Sequence, residues 1–247
     1  MSRRKRRKSA IIHRRKPLTV RIGNSFKPIT DVSCPSLKFP ETVYLLGSGP
    51  NGINYYSTIP KDSYVVAVNR AVLIPSVLPV SFDIDAWIVA DYNVIQTLYY
   101  STIRNKFKGI KIFSMEAAIR DKVFGKDNLP SYTFFQHPRS TRCSKYRVGM
   151  DDYQMEGTVG SVAVQILARK GVRRIITCGF DVSGDIDFQG ELPKDHRHGS
   201  LWKASKFFDS TIGYFQSQGI EISSLSETKL QLGKSAECPY RLKEGNH

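Results

Sequence analysis

Three glycines at fixed spacing follow an apolar run near the start of the chain. The segment VYLLGSGPNG, residues 43–52, places Gly47, Gly49 and Gly52 in the pattern G-x-G-x-x-G. In an NAD-binding fold these glycines open a long helix, and an acidic residue about 20 positions later binds the ribose. Here Pro60 limits the helix to about two turns, and the next predicted strand ends in Asn69 rather than in Asp or Glu. We therefore expect a nucleotide other than NAD against the bare backbone of this turn.

Polar residues also follow the next two predicted strands. Asn69 closes YVVAVN, and the segment DYN, residues 91–93, follows DAWIVA. Ligands of open α/β sheets bind outside the carboxyl ends of the strands, and an amide can bond a base edge or a ribose without adding charge. A turn or a helix cap would explain any one of these asparagines. The glycine turn, Asn69 and the segment 91–93 each follow the end of a successive predicted strand. Because these strand ends would form one polar rim, we expect Asn69 and Asn93 to bind the nucleotide.

The elements that must position these residues alternate along the chain. This order predicts an α/β fold of Rossmann-like type, with a mostly parallel sheet flanked by helices in a single nucleotide-binding domain. Helical spacing predicts two clear helices, over residues 158–170 and 201–218, each followed by a glycine. The predicted strands are 42–47, 64–69, 85–90, 110–114, 132–136, 174–179 and 220–225.

Charge divides the chain unevenly. Residues 1–16 hold nine Lys/Arg and no acid, a large part of the formal net charge of +15. We predict a basic disordered tail and tether over residues 1–40, a Rossmann-like domain over 41–230, and a C-terminal tail over 231–247. Within the domain, residues 104–150 are predicted to form a lid or acceptor region.

The basic arm, residues 3–16, suggests a polyanionic partner. A cationic arm can bind nucleic acid by counterion release, or anionic lipid headgroups, and this one lacks aromatics for base stacking. The chain has no signal-peptide pattern and no apolar run long enough to span a bilayer. Its four cysteines are far apart, as expected of reduced thiols rather than a zinc site. We expect a cytoplasmic protein that can associate peripherally with the inner membrane surface.

Several longer segments together carry a resemblance to a known family. They are LLGSGPNGINYYSTIP, AVNRA, DYNVIQTLYY, EGTVGSVAVQILARKGVRRIITCGFDVSGD and HRHGSLWKASKFFDSTIGYFQSQGIEISSL. Their order and spacing resemble those of the bacterial family 42 sialyltransferases, over roughly residues 42–230. The 6-hydroxymethylpterin diphosphokinase-like proteins look similar at the glycine turn and at GTVGSVAVQILARKGVRRIITCGFD.

The sialyltransferase resemblance implies an inverting, metal-independent glycosyltransferase. Such an enzyme transfers a sugar, sialic acid in that family, from a cytidine monophosphate donor to a hydroxyl of a glycan. The nucleotide-sugar is a substrate, so no cofactor is expected. The helix start at Thr158 would offer N–H groups to the donor, as helix N-termini do for anions. The donor-binding residues implied are Gly47, Ser48, Gly49, Pro50, Asn69, Asn93, Thr158, Val159, Gly160, Asp181 and Ser183.

The resemblance also implies a histidine general base in DHRHGSLWKASK, because an acceptor hydroxyl is a poor nucleophile until its proton is accepted. Counting back from WKAS favours His196, whereas counting from the following glycine favours His198. Both alternatives stay open. Asp195 could orient the ring or act as the base itself.

This sequence departs from the family after the GFD strand. The family has two tyrosines there that hold the leaving phosphate, whereas this chain reads GFDVSGDIDFQG. Ser183 could supply one hydrogen bond. In the lid region, Arg139 and Arg142 could neutralise the phosphate. A solvent-exposed basic loop without a binding role would have the same sequence pattern.

Two other functions fit parts of the sequence. A diphosphokinase of the hydroxymethylpterin type would need a divalent metal, for which Asp91, Asp181 and Asp185 are available. A non-enzymatic nucleic-acid-binding protein would use the basic arm on a retired enzyme fold.

Overall fold

The structure of the protein is a computed structural model. It describes residues 19–22, 25–28, 30–90, 94, 107–115, 131–134, 146, 153–155, 158–181 and 201–230.

A seven-stranded parallel sheet forms the centre of the described structure. In chain order its strands are β3 (Thr42–Leu46), β4 (Val65–Val68), β5 (Ala86–Val89), β6 (Ile110–Ser114), β7 (Tyr132–Phe134), β8 (Arg174–Cys178) and β9 (Glu221–Ser224). Their spatial order is β7-β6-β5-β4-β3-β8-β9. The predicted fold class is confirmed, and the sheet is parallel throughout its described pairings.

Apolar residues cover both faces of this sheet, as expected of the continuous apolar runs of β4 and β5. Alternate residues enter two cores: Val43 and Leu45 lie in one core, and Leu46 lies in the other. The β4 and β5 segments are buried at every position. The central strands are therefore rigid supports for the loops at their ends.

Helices pack against both faces. Helices α1 (Ile53–Tyr56) and α2 (Ile74–Val77) are short, and each follows a 3-10 turn, over Pro50–Gly52 and Asn69–Leu73. Helices α3 (Val159–Arg169) and α4 (Leu201–Ser217) are long. Their apolar residues pack in the core that contains Val43 and Leu45. Both long helices end at a glycine with positive φ, Gly171 at 88° and Gly219 at 85°, which confirms the predicted C-caps.

The packed body begins before the boundary predicted at residue 40. Val32 is fully buried and Leu37 is 2% exposed, and both belong to the core that contains α3. Residues 30–32 also hydrogen-bond to the edge strand β7, since Val32 N donates to Thr133 O and Thr133 N donates to Thr30 O, each at 2.8 Å. Covering an edge strand in this way removes exposed backbone groups. Residues 30–40 are thus packed structure and not a tether.

An antiparallel hairpin precedes this segment. Strands β1 (Thr19–Ile22) and β2 (Ser25–Pro28) pair with each other in a separate two-stranded sheet. The sequence analysis did not predict it. No helix within the described residues is long and apolar enough to cross a membrane.

Candidate functional site

The order of the strands defines a crevice at the carboxyl edge of the sheet. From β3 the chain moves to one side through β4 to β7, and later to the other side through β8 and β9. Loops leaving β3 and β8 therefore diverge, and open α/β sheets bind ligands at such a switch point. The glycine turn after β3 lies there, because Gly47 N donates to Cys178 O at 2.8 Å and Gly49 N donates to Gly179 O at 2.7 Å.

Protein atoms account for the glycines of this turn. A Cβ at Gly47 would overlap the carbonyl oxygen of Gly179, and a Cβ at Gly49 would lie 2.5 Å from Asp181 Oδ2. Real Cβ atoms do not approach other atoms this closely, so neither glycine could be replaced without a shift of the backbone or of Asp181. The sequence analysis attributed the glycines to close approach of a ligand, whereas packing against the end of β8 already requires them.

The hydroxyl of Tyr56 contacts the backbone of the glycine turn. It donates to Gly47 O at 2.9 Å and approaches Gly49 O at 3.4 Å. A Cβ at Gly52 or Gly179 would overlap this hydroxyl, so these glycines make room for it. Burial raises the pKa of Tyr56 far above its ordinary value, which keeps the hydroxyl protonated and able to donate. The sequence analysis missed this residue.

Asp181, three residues after β8, places a buried carboxylate at the switch point. Its side chain is 3% exposed, and Oδ2 accepts from Asn51 N at 2.7 Å. Oδ1 is buried and has no hydrogen-bond partner among the described residues. Burial raises the pKa of Asp181, and the hydrogen bond from Asn51 opposes that effect. An unpaired buried oxygen calls for a donor from a ligand or a water.

Asn69, directly after β4, is a second described residue with a buried side-chain oxygen that lacks a hydrogen-bond partner. Its φ is 47°, the only positive φ at a non-glycine position in the described ranges. Its carbonyl accepts from Trp87 Nε1 at 2.8 Å. The amide Oδ1 is buried without a hydrogen-bond partner in the part of the chain that the structure describes. Asparagine visits this backbone region more readily than most residues, so its presence here is compatible with the turn.

The first turn of α3 lies near the same edge. Thr158 caps the helix, with Oγ1 accepting from Gly160 N at 3.1 Å. Gly160 packs against Phe180, which follows Gly179, and a Cβ there would lie 2.5 Å from Phe180 Cε1. The helix start is therefore adjacent to the end of β8. One of its N–H groups, that of Gly160, is already paired with the cap.

A short segment after β9 braces the loop that follows β8. Ser226 Oγ accepts from Gly179 N at 2.9 Å, Thr228 Oγ1 donates to Phe180 O, and the backbone carbonyl of Glu227 accepts from Asn51 Nδ2 at 3.3 Å. These contacts hold Gly179, Phe180 and Asn51 in place. The sequence analysis did not single out this segment, because nothing local to it marks a partner some 50 residues away.

The structure brings together a subset of the predicted site residues. The glycine turn, Asp181 and the start of α3 meet at the carboxyl edge of β3 and β8, with Asn69 at the end of the neighbouring β4. Within the described ranges, no group of three or more His, Cys, Asp or Glu could hold a metal ion. The other predicted residues lie outside the described residues: Asn93, Arg139, Arg142, Ser183, His196 and His198, together with the alternative metal ligands Asp91 and Asp185.

Comparisons with known proteins bear on the fold. No protein-family model matches the sequence, and no curated protein matches it significantly. The chain is similar to the monofunctional alpha-2,3-sialyltransferase Cst-I from Campylobacter jejuni, with a TM-score of 0.50 and 13% identity over 85% of this chain and 88% of that chain. It is also similar to the Campylobacter jejuni sialyltransferase CST-II in complex with a trisaccharide acceptor and CMP, with a TM-score of 0.50 and 12% identity over 81% and 88% of the two chains. The protein therefore shares the fold of these sialyltransferase structures.

Proposed function

We propose that the protein is a glycosyltransferase that transfers a sugar from a cytidine monophosphate donor to a hydroxyl of a glycan. One observation carries the proposal: the glycine turn, Asp181 and the start of α3 meet at the switch point of the sheet. These are the segments in which the sequence resembles family 42 sialyltransferases. Two structures with the same fold are sialyltransferases, one of them with CMP and a trisaccharide acceptor bound. Sialic acid is the sugar that this resemblance favours.

The charges of the site suggest how a donor would lie in it. The N–H groups at the start of α3 favour an anion, so the phosphate belongs there. The carboxylate of Asp181 would repel a phosphate, and its unpaired Oδ1 suits a hydroxyl or amine of the nucleotide or sugar instead. Asn69 Oδ1 suits a second such group, and Asn93 is proposed to act with it. Ser48 and Pro50 would line the same turn.

The proposed reaction is a single displacement, which inverts the anomeric carbon. The acceptor oxygen forms a bond to that carbon as the bond to the phosphate oxygen breaks and CMP leaves. His196 or His198 accepts the proton of the acceptor hydroxyl. The N–H groups of α3, Arg139, Arg142 and Ser183 stabilise the charge on the departing phosphate. No metal is required in this scheme.

The basic arm is proposed to bring the enzyme to its acceptor. Residues 3–16 carry enough Lys and Arg to bind anionic headgroups at the inner membrane surface. The same charges would also bind nucleic acid, and the salt dependence of vesicle and duplex binding would compare the two.

A panel of nucleotides in a thermal-shift assay tests the function. Stabilisation by CMP in the presence of EDTA, with weaker effects of UMP and AMP, is expected. Release of CMP from CMP-sialic acid on addition of a glycan acceptor would then identify the transfer. Magnesium-dependent stabilisation by ATP would instead support a diphosphokinase. No stabilisation by any nucleotide would favour a binding protein without activity.

A further inference from the structure

We infer that Trp87 is a positioning residue for the nucleotide site, and that it acts by holding Asn69. The inference rests on the proposed function, since it concerns the same site. Trp87 lies in β5 and is fully buried, and its indole Nε1 donates to the backbone oxygen of Asn69 at 2.8 Å. It is paired in register with Ala67, two residues before Asn69. The indole thus reaches along β4 to the point where the strand ends.

Asn69 needs such a contact because its backbone conformation is unusual. At a φ of 47° it lies in the left-handed region, where residues other than glycine are less stable than in an extended conformation. A hydrogen bond from a rigid donor to the carbonyl of the same residue favours the observed conformation over an extended one. The peptide plane after Asn69 is therefore fixed from the neighbouring strand.

Trp87 is a rigid donor because it is fully buried on a strand inside the sheet. Phe113 packs edge-on against it with ring centroids 5.2 Å apart, and Phe107 does so at 6.1 Å. A buried indole N–H needs an acceptor, and Asn69 O is the acceptor that the structure provides. If the ring turned away from Asn69, the buried N–H would lose this acceptor, which would cost free energy.

The consequence lies in the side chain of Asn69. Its Oδ1 is buried with no hydrogen-bond partner among the described residues. An amide oxygen accepts hydrogen bonds, so the ligand group that meets it must carry an N–H or O–H, such as the amine of a base or a ribose hydroxyl. If Asn69 relaxed to an extended conformation, this oxygen would move with its backbone. Trp87 therefore affects nucleotide affinity through Asn69, without touching the nucleotide.

A double-mutant cycle on CMP affinity tests the inference. Trp87→Phe removes the N–H and keeps an aromatic ring, and Asn69→Gly removes the amide while tolerating the positive φ. By isothermal titration, Trp87→Phe is expected to weaken CMP binding about 3-fold to 10-fold in the wild-type background. In the Asn69→Gly background it should weaken CMP binding no further. An equal loss in both backgrounds, or no loss in the wild-type background, would overturn the inference.

Phe113→Leu is the matched control for packing. It alters the same aromatic cluster without removing the indole hydrogen bond, so it should lower the free energy of unfolding and leave CMP affinity unchanged. If Trp87→Phe does not fold, benzothienylalanine at position 87 keeps the shape of the indole and lacks the N–H, and the same predictions apply to it. Loss of CMP affinity in Phe113→Leu equal to that in Trp87→Phe would contradict the assignment.

A readout without ligand separates this inference from the proposed function. In protein labelled with nitrogen-15 and carbon-13 at asparagine, backbone couplings of Asn69 report the sign of φ. Trp87→Phe should shift Asn69 towards negative φ, whereas Phe113→Leu should not. Unchanged couplings in Trp87→Phe would overturn the inference even if CMP binds. If wild-type protein fails to bind CMP, the proposed function fails, and the couplings still decide whether Trp87 holds Asn69.

Discussion

At the scale of single residues, two acceptor oxygens distinguish the candidate site. Asn69 Oδ1 and Asp181 Oδ1 are both buried and lack hydrogen-bond partners among the described residues. Each unpaired buried group costs roughly 1–3 kcal/mol in the unliganded protein. A ligand that offers a hydroxyl or amine to each would remove that cost. Hydrogen bonds from a ligand to these two atoms would therefore contribute to the free energy of binding.

The first prediction concerns the pH dependence of stability at Asp181. Burial raises the pKa of Asp181 above its ordinary value of 3.8, so the folded protein binds this proton more tightly than the unfolded chain. The stability that protonation contributes is fully present below the unfolded pKa and is lost as pH rises through the folded pKa. Asp181→Asn removes the titration and keeps an oxygen for Asn51 N. Relative to wild type, the variant should gain unfolding free energy as pH rises above about 4.

Urea unfolding of both proteins at several pH values measures this difference. Parallel stability curves over the whole range would mean that Asp181 titrates as an ordinary exposed carboxyl, and that the buried environment assigned to it is wrong.

The second prediction concerns the catalytic base. One of His196 and His198 is expected to accept the proton of the acceptor hydroxyl, because imidazole has an unperturbed pKa of about 6.5. Replacing that histidine by alanine should lower kcat by roughly 10²–10⁴ with little change in donor affinity. The neighbouring histidine is the matched control and should cost much less. Near-normal turnover in both variants would assign the base to a carboxylate such as Asp195, or remove the protein from the transferases.

At the scale of elements, apolar patterning was enough to predict the sheet. All seven of its strands and both long helices lie where the sequence indicated, because continuous buried runs and helical stripes are local signals. The C-cap at Gly171 was also predicted correctly, since it depends on one residue type at a helix end.

Long-range contacts could not be predicted in the same way. The packing of Gly47 against Gly179 joins residues far apart in sequence, as does the hydrogen bond from Gly179 N to Ser226. The pattern G-x-G-x-x-G therefore indicated a tight turn correctly but not its internal cause. Val32 and Leu37 were similarly missed as core residues, because they stand singly in a proline-containing segment without periodicity.

The third prediction concerns how α1 supports the glycine turn. Tyr56→Phe leaves the carbonyl of Gly47 without the hydroxyl that donates to it, so the free energy of unfolding should fall by about 1–3 kcal/mol. Tyr55→Phe, on the same helix but only partly buried, is the control and should change it by less than about 0.5 kcal/mol. Chemical denaturation measures both. Equal effects of the two variants would show that the Tyr56 hydroxyl does not support the turn.

At the scale of the whole molecule, the fourth prediction concerns where the folded body begins. Deletion of residues 1–18 removes the nine basic residues of the arm and should leave the free energy of unfolding unchanged within about 0.5 kcal/mol. Deletion to residue 38 also removes Val32 and Leu37, each worth about 1.5–3 kcal/mol of burial, and uncovers Thr133 at the edge of β7. The longer deletion should therefore be insoluble or strongly destabilised.

Urea unfolding and solubility distinguish the two truncations. If the protein without residues 1–38 were as stable as wild type, residues 30–38 would not belong to the core, and the original boundary at residue 40 would stand.

The whole account depends on a cytidine nucleotide binding at the carboxyl edge between β3 and β8. A crystal structure of the protein with CMP, prepared in EDTA, tests this claim most directly. We predict the phosphate near the first turn of α3, and a hydroxyl or amine of the nucleotide within hydrogen-bond distance of Asn69 Oδ1, Asp181 Oδ1 or both. Nucleotide bound elsewhere on the molecule, or no nucleotide at saturating CMP, would contradict the account.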